Sequence, residues 1–150
     1  MRKHAFVTTV VGVAFLAGCA SAPNAPEISQ SVPPPRTDVT RSQAWRDAEA
    51  VAKLDKARFT VIGAGESMRP VYGENTVLVL QKVPYESLRA GMKVAYRNRR
   101  GVVVLHQLVA EDAQGWRAVG LNNPAEDRER VTRSNLLGVV YAAFANADVE

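Results

Sequence analysis

A serine hydroxyl stands in the segment 65–70, which reads Gly-Glu-Ser-Met-Arg-Pro. The segment follows the apolar strand candidate Phe59–Gly63, and its proline prevents continuation into a regular helix. Gly63 and Gly65 allow a tight bend of the backbone, which would leave the hydroxyl of Ser67 standing in a loop. The alternative interpretation is an ordinary polar turn, because clusters of Ser, Gly and Pro are usually turns.

A serine hydroxyl is a weak nucleophile near neutral pH, so this chemistry requires a base held beside Ser67. The chain contains two histidines, His4 and His106, and His4 lies in the N-terminal segment. His106 lies in the apolar strand candidate Val102–Ala110, where two-residue alternation places it on one face with apolar neighbours. A hydrogen-bonded core histidine is the alternative for such a position.

The order of these motifs resembles that of type I signal peptidases and their LexA-like repressor relatives, whose nucleophile lies in a Ser-Met-x-Pro box. The motifs after Ser67 are Gly73, Thr76–Gln81, Leu88-Arg89-Ala90-Gly91, a strand ending in Tyr96, and the strand with His106. Bacterial signal peptidases carry a lysine at the matching position. A histidine there is typical of the archaeal, endospore-former and endoplasmic-reticulum type. The resemblance covers about Val61–Phe144 and implies that His106 is the base for Ser67.

The same resemblance implies a third residue, an acid. In the family, a Gly-Asp-x-Asn segment is followed by a further aspartate shortly before a valine. The positions that match are Gly120, Asn123, Asp127 and Val131. Asp127 would orient His106 and stabilise the imidazolium that forms during attack. The alternative is a solvated loop acid beside Arg128 and Arg130.

Three positions depart from the family's pattern. Leu121 replaces the first aspartate of the acid segment, and Gln107 replaces the arginine that usually follows the histidine. Met92 replaces the aspartate of a Gly-Asp turn. These departures concern the site rather than the fold, and they motivate a second hypothesis, a non-catalytic binding module that keeps the peptidase fold.

The periodicity of the chain changes to that of a β domain from Phe59 onward. The strand candidates are Phe59–Gly63, Thr76–Gln81, Met92–Arg97, Val102–Ala110, Trp116–Leu121 and Leu137–Phe144. Asn98–Gly101 and Asp112–Gly115 read as hairpin turns with glycine placed for positive φ. Val102–Leu105 is apolar on both faces, which predicts a central, buried strand. We expect a mainly β fold over residues 58–145, a partly closed antiparallel sheet of the LexA and signal-peptidase type.

An amphipathic helix is predicted over residues 40–57, in front of this sheet. Thr40 and Gln43 have the spacing of a capping box, with Thr40 as N-cap and the Gln43 side chain reaching back. The apolar stripe consists of Ala44, Trp45, Ala48, Val51, Ala52 and Leu54. We expect this stripe to pack on the domain. A helix lying on lipid is the alternative, which the acidic residues Asp47, Glu49 and Asp55 disfavour.

Residues 1–18 have the pattern of a lipoprotein signal peptide, a short positive start followed by an apolar stretch. Leu16-Ala17-Gly18-Cys19 looks like a bacterial lipobox, in which the chain is cut before a cysteine that receives fatty acids such as palmitate. Two or more acyl chains on Cys19 would hold the protein at a membrane. An ordinary secretory signal and an uncleaved anchor are the alternatives. Ala20 favours sorting to the outer membrane, so we expect a cell-envelope protein that faces the periplasm.

The rest of the composition excludes several classes of function. Residues 19–39 are a Pro-rich linker with few large apolar side chains. The formal charge of +4 falls to +2 without Arg2 and Lys3, so the chain does not indicate nucleic-acid binding. One cysteine permits no internal disulfide, and the chain has neither a metal-ligand cluster nor a Gly-rich phosphate loop, so no cofactor is expected. The oligomeric state is left open.

The sequence therefore predicts a membrane-tethered serine endopeptidase that acts on a polypeptide substrate through Ser67, His106 and Asp127. The second hypothesis is the non-catalytic lipoprotein binding module. A third is a self-cleaving regulator of the LexA type, but the chain has neither the lysine base nor a recognisable helix-turn-helix.

Overall fold

The computed structural model describes residues 38–147, a mainly β fold with one helix and a six-stranded antiparallel sheet. The elements in chain order are α1 (Arg41–Ala52), β1 (Arg58–Ile62), β2 (Thr76–Gln81), a 3-10 turn (Tyr85–Ser87), β3 (Lys93–Arg97), β4 (Val103–Asp112), β5 (Gly115–Val119) and β6 (Leu136–Ala145). The predicted signal peptide, the predicted acylation site at Cys19 and most of the predicted Pro-rich linker lie outside the described residues.

The prediction of a mainly β, antiparallel fold is confirmed. All six predicted strands are present, with ends within two residues of those expected. The strand order is β1-β2-β6-β3-β4-β5, so the last strand of the chain lies between β2 and β3. This insertion joins the β1–β2 pair to the β3–β4–β5 meander in one sheet.

Both predicted hairpin turns are present. Gly101 has φ +80° and Gly115 has φ +128°, which are the backbone conformations that favour glycine. The N–H of Asn98 donates to the carbonyl of Val102 at 2.9 Å, which closes the first turn. The first hairpin sets β3 against β4 and thereby places Val94 opposite His106.

The first half of β4 differs from the expectation of a buried strand. Val102 and Val103 are 55% and 47% exposed. The strand is not central, because it is the fifth of six in the sheet order, and its outer neighbour β5 pairs with it only from Gln107 onward. The segment 103–106 therefore has a neighbouring strand on the β3 side alone, and its other edge is open.

The helix begins as predicted and ends earlier. Thr40 is the N-cap, and its hydroxyl accepts from the N–H of Gln43 at 3.2 Å. The prediction that the Gln43 side chain reaches back to Thr40 is wrong, because that side chain forms hydrogen bonds with Asp47 and Arg46. The helix ends at Ala52 rather than at residue 57.

The end of the helix has a local cause. A carboxylate oxygen of Asp55 accepts from the N–H of Ala57 at 2.8 Å, a turn that competes with helical hydrogen bonding. Leu54, which was expected in the apolar stripe, is 79% exposed for this reason. The turn redirects the chain into β1.

The predicted packing of the helix on the sheet is confirmed. Ala44 and Ala48 are fully buried against Val77 and Val79 of β2. Half-buried Trp45 packs against the same cluster. No helix within residues 38–147 has the length and apolar character needed to cross a membrane.

A second apolar cluster lies under the strands that carry the candidate site. Its buried members are Leu88, Val94, Tyr96, Leu108, Trp116, Ala118 and Val131. They come from β3, β4, β5 and the segments beside them, so this cluster fixes the relative positions of these strands.

Candidate active site

Ser67 lies in the loop 63–75 between β1 and β2, and the two ends of this loop are clamped together. The N–H of Gly63 donates to the carbonyl of Thr76 at 2.8 Å. A Cβ atom at Gly63 would lie 2.3 Å from the carbonyl oxygen of Gly73, so only glycine permits this approach. We refer to residues 63–75 as the nucleophile loop, after the role that the sequence analysis predicts for Ser67.

The interior of the nucleophile loop is held by backbone turns around Met68. The N–H of Arg69 donates to the carbonyl of Glu66 at 3.1 Å, and the N–H of Tyr72 donates to the carbonyl of Met68 at 3.0 Å. The Met68 side chain is buried, which anchors the loop from below. Ser67 is half-buried, and its hydroxyl makes no hydrogen bond to any described residue.

His106 is held by β4 and by a carboxylate. It is 5% exposed, and its Nδ1 lies 2.6 Å from Oδ2 of Asp127. An ionised carboxylate only accepts hydrogen bonds, so the neutral ring carries its proton on Nδ1. The other ring nitrogen, Nε2, then has a free lone pair, and it makes no hydrogen bond within the described part of the chain.

Asp127 lies in the segment 120–130 that follows β5, which we call the acid loop. Its N–H donates to the carbonyl of Ala118 at 2.8 Å, which ties the loop back to β5. The Asp127 side chain is 17% exposed and contacts His106. The nearby Arg130 pairs with Asp112 instead, at 2.8 Å. The geometry is that of a partly buried acid bound to a histidine.

Tyr96 was missed as a site residue from the sequence. Its hydroxyl donates to Oδ2 of Asp127 at 2.6 Å, the oxygen that also binds His106. Burial, together with the hydrogen bond to Asp127, raises the pKa of Tyr96 above its ordinary value of 10. The register of the β3–β4 hairpin could have identified Tyr96 as a site residue. Tyr96 pairs with Val104, which lies two residues from His106 on the same face of β4.

The acid loop also contacts the nucleophile loop directly. The N–H of Asn122 donates to the carbonyl of Ser67 at 2.8 Å, and its side-chain amide donates to the carbonyl of Glu66 at 3.2 Å. A Cβ atom at Gly120 would lie 2.7 Å from the same Ser67 oxygen. The absence of a side chain at Gly120 thus lets the two loops meet.

A cleft of about 570 Å³ opens between the nucleophile loop and β4, and both Ser67 and His106 line it. Its other walls are mostly apolar and include Val61 and Ile62 of β1 and Leu105 of β4. Asp127 is not part of the lining and lies behind the His106 ring. The structure thus brings all three predicted residues to one site, with two of them facing the cleft.

Comparison with known proteins finds no family model that matches the chain and no curated protein with significant sequence similarity to it. Within residues 38–147, no three side chains of the His, Cys, Asp and Glu types are grouped as metal ligands.

Proposed function

We propose that this chain is a serine endopeptidase of the signal-peptidase type, with Ser67 as nucleophile, His106 as general base and Asp127 as the residue that orients the base. The observation that carries the proposal is the 2.6 Å contact between Asp127 and Nδ1 of a histidine that lines the same cleft as Ser67. This contact leaves Nε2 free to accept a proton.

The reaction would proceed in two steps. Nε2 of His106 takes the proton of the Ser67 hydroxyl as its oxygen attacks the peptide carbonyl, and Asp127 stabilises the imidazolium. The imidazolium then gives the proton to the departing amine, which leaves an ester on Ser67. Water then attacks the ester while His106 takes its proton, and the imidazolium returns that proton to the Ser67 oxygen as the acid product leaves. The catalytic groups return to their starting protonation states.

Two donors at the cleft could stabilise the oxyanion that forms during each attack. The backbone N–H of Ser67 makes no hydrogen bond to any described residue. Asn123 lines the cleft with Ser67, and its side-chain amide also has no hydrogen-bond partner in the described range. Donors that are held in place and unpaired before the reaction are what oxyanion stabilisation requires. We assign the second donor to Asn123.

An extended polypeptide fits the two strands that border the cleft. The edge of β4 at residues 103–106 is open on the side opposite to β3. On the other wall, β1 is the outer strand of the sheet and pairs only with β2. Unpaired N–H and C=O groups on both walls can bind the backbone of a substrate as an added strand. The apolar lining would receive apolar substrate side chains.

We further propose that the protein is lipid-anchored in the cell envelope. Acylation at Cys19 would anchor the chain in the cell envelope, and residues 19–39 would tether the domain to the membrane. Ala20, which follows Cys19, favours sorting to the outer membrane. The substrate would then be a polypeptide within reach of that surface.

A non-catalytic binding module is the second candidate function. One observation favours it, namely that no hydrogen bond joins the Ser67 hydroxyl to His106 in the described structure. A peptide could bind in the same cleft through the open strand edges without being cleaved. Catalytic hydrogen bonds are often long before substrate binds, so the two functions require a direct test.

Labelling of the full chain with a fluorophosphonate serine probe separates these two functions. We expect the unaltered chain to be labelled and Ser67→Ala to remain unlabelled. Ser87→Ala is the matched control, because the Ser87 hydroxyl binds the carbonyl of Pro84 outside the cleft, and this variant should be labelled like the unaltered chain. Absence of labelling in the unaltered chain, with peptide binding retained, would favour the binding module.

A further inference from the structure

One oxygen of Asp127 accepts two short hydrogen bonds. Oδ2 lies 2.6 Å from Nδ1 of His106 and 2.6 Å from the hydroxyl of Tyr96. The Tyr96 ring is 2% exposed and belongs to the apolar cluster under β3 and β4. The position of its hydroxyl is therefore set by the core, and the carboxylate is held between a fixed phenol and a fixed imidazole.

The two donors share the negative charge of the same oxygen. A hydrogen bond from Tyr96 stabilises the Asp127 carboxylate and reduces the charge that acts on the His106 ring. The raised pKa of Tyr96 keeps the phenol protonated, and therefore a hydrogen-bond donor, throughout the neutral pH range. Tyr96 and His106 therefore compete for the charge on this one carboxylate oxygen.

Other titratable or charged groups lie on the two loops and on β5. Glu129 and Arg128 belong to the acid loop, and the Glu129 carboxylate accepts from the backbone N–H of Arg99 at the β3–β4 turn. Arg117 of β5 pairs with Glu126. Tyr72 lines the cleft from the nucleophile loop. In the described part of the chain, none of these groups makes a hydrogen bond to Oδ2 of Asp127.

We propose that Tyr96 is a positioning residue of this site, which fixes the Asp127 carboxylate against His106 and weakens the basicity of the imidazole. The catalytic consequence rests on the proposed peptidase function, because a base must be unprotonated to accept the Ser67 proton. By sharing Oδ2, Tyr96 keeps His106 oriented and also leaves it neutral over a wider range of pH.

The proposal is tested by NMR titration of the His106 ring in the full chain, purified in detergent. We expect Tyr96→Phe to move the midpoint of that titration upward by about one pH unit, a tenfold change in proton affinity. The signal is assigned by its loss in His106→Gln, since the other histidine, His4, would be present only in unprocessed chain. An unchanged or lowered midpoint overturns the proposal.

Two further variants exclude a merely structural effect of the lost hydroxyl. Tyr85→Phe is the matched control, because the half-buried Tyr85 donates to the carbonyl of Val131 and does not contact Asp127. It should leave the His106 titration unchanged. In an Asp127→Asn background, Tyr96→Phe should no longer shift the midpoint. An equal shift in that background would show that Tyr96 does not act through the carboxylate.

Peptide cleavage measured across pH gives the catalytic readout. In Tyr96→Phe, the acidic limb of the activity profile should move upward together with the ring titration. KM should stay unchanged, because Tyr96 does not line the cleft. If Tyr96→Phe shifts the His106 titration but the unaltered chain cleaves no peptide, the peptidase function is contradicted and the role of Tyr96 remains. If the unaltered chain cleaves peptide but Tyr96→Phe does not shift the His106 titration, only the role of Tyr96 is contradicted.

Discussion

At the scale of single residues, Asp127 connects the parts of the candidate site. Its carboxylate binds the His106 ring and the Tyr96 hydroxyl, and its backbone is tied to Ala118. The family that this sequence resembles has two acids in this segment. Leu121 stands at the position of the first acid, so Asp127 is the remaining carboxylate at a motif position. The chemistry of the proposed triad therefore depends strongly on this side chain.

Replacement of Asp127 by asparagine should reduce peptide turnover by about ten-thousandfold, because an amide no longer holds the Nδ1–H tautomer of His106. Ser67→Ala and His106→Ala should each cost at least as much, and the three losses should not add, since the residues act as one unit. A peptide-cleavage assay on the full chain measures these effects. Asp112→Asn, an exposed acid paired with Arg130, is the control. Unchanged cleavage in Asp127→Asn would reduce the site to a dyad.

Loss of the Asn123 side chain tests the assigned oxyanion donor. Asn123→Ala should lower kcat by about a hundredfold to a thousandfold with little change in KM, because the donor acts mainly on the transition state. Asn122→Ala is the matched control, since that side chain binds the Glu66 carbonyl and its backbone contact with Ser67 is retained. Steady-state kinetics that show equal losses for both variants would contradict the assignment.

At the scale of elements, the site depends on two loops that meet beside β4. The strands themselves follow from local periodicity, and the hairpin turns follow from glycines placed for positive φ. The open edge of β4 at residues 103–106 does not follow from periodicity, because the valines there read as a buried strand. It exists because β5 pairs with β4 only from Gln107 onward, which leaves those valines to line the cleft.

A side chain at Gly120 should separate the two loops. In Gly120→Ala, the Cβ atom would lie 2.7 Å from the Ser67 carbonyl oxygen, so one loop must shift. We expect loss of serine-probe labelling and a destabilisation of about 1–3 kcal/mol in thermal unfolding. Gly73→Ala in the nucleophile loop is the control, because its nearest contact would be an ordinary 3.4 Å. Normal labelling of Gly120→Ala would mean that close approach of the loops is not required.

At the scale of the whole molecule, the proposed lipid anchor and tether would define where the site works. A flexible chain of about 20 residues spans roughly 25 Å, and an extended polyproline-like chain spans about 60 Å. The residues 19–39 would therefore keep the cleft close to the membrane surface. Substrates held at or emerging from that surface would be within reach of Ser67.

Removal of the acylation site tests this arrangement. Cys19→Ser should abolish incorporation of a fatty-acid analogue and leave unprocessed precursor in cells that produce the full chain. Metabolic labelling followed by electrophoresis measures both effects, and Ser21→Ala serves as a neighbouring control that should be acylated normally. Label that persists in Cys19→Ser would contradict the lipoprotein interpretation.

Local features of this chain could be predicted from the sequence alone. They include the six strands, the two hairpin turns, the N-cap at Thr40 and the packing of the helix on the sheet. Each depends on the period of apolar residues, on glycine at one turn position or on one capping side chain, which are properties of short segments. The helix end does not follow from the apolar period, because a single turn at Asp55 outweighs it.

The assembly of the site was decided by the tertiary structure. Ser67, Tyr96, His106 and Asp127 come from four separate segments, and sequence spacing does not specify a distance between segments. Motif resemblance suggested three of them, but the shared oxygen of Asp127 and the role of Tyr96 required the register of β3 against β4. The cleft required the insertion of β6 between β2 and β3 and the contact at Gly120. Local sequence rules carry no information about such long-range packing.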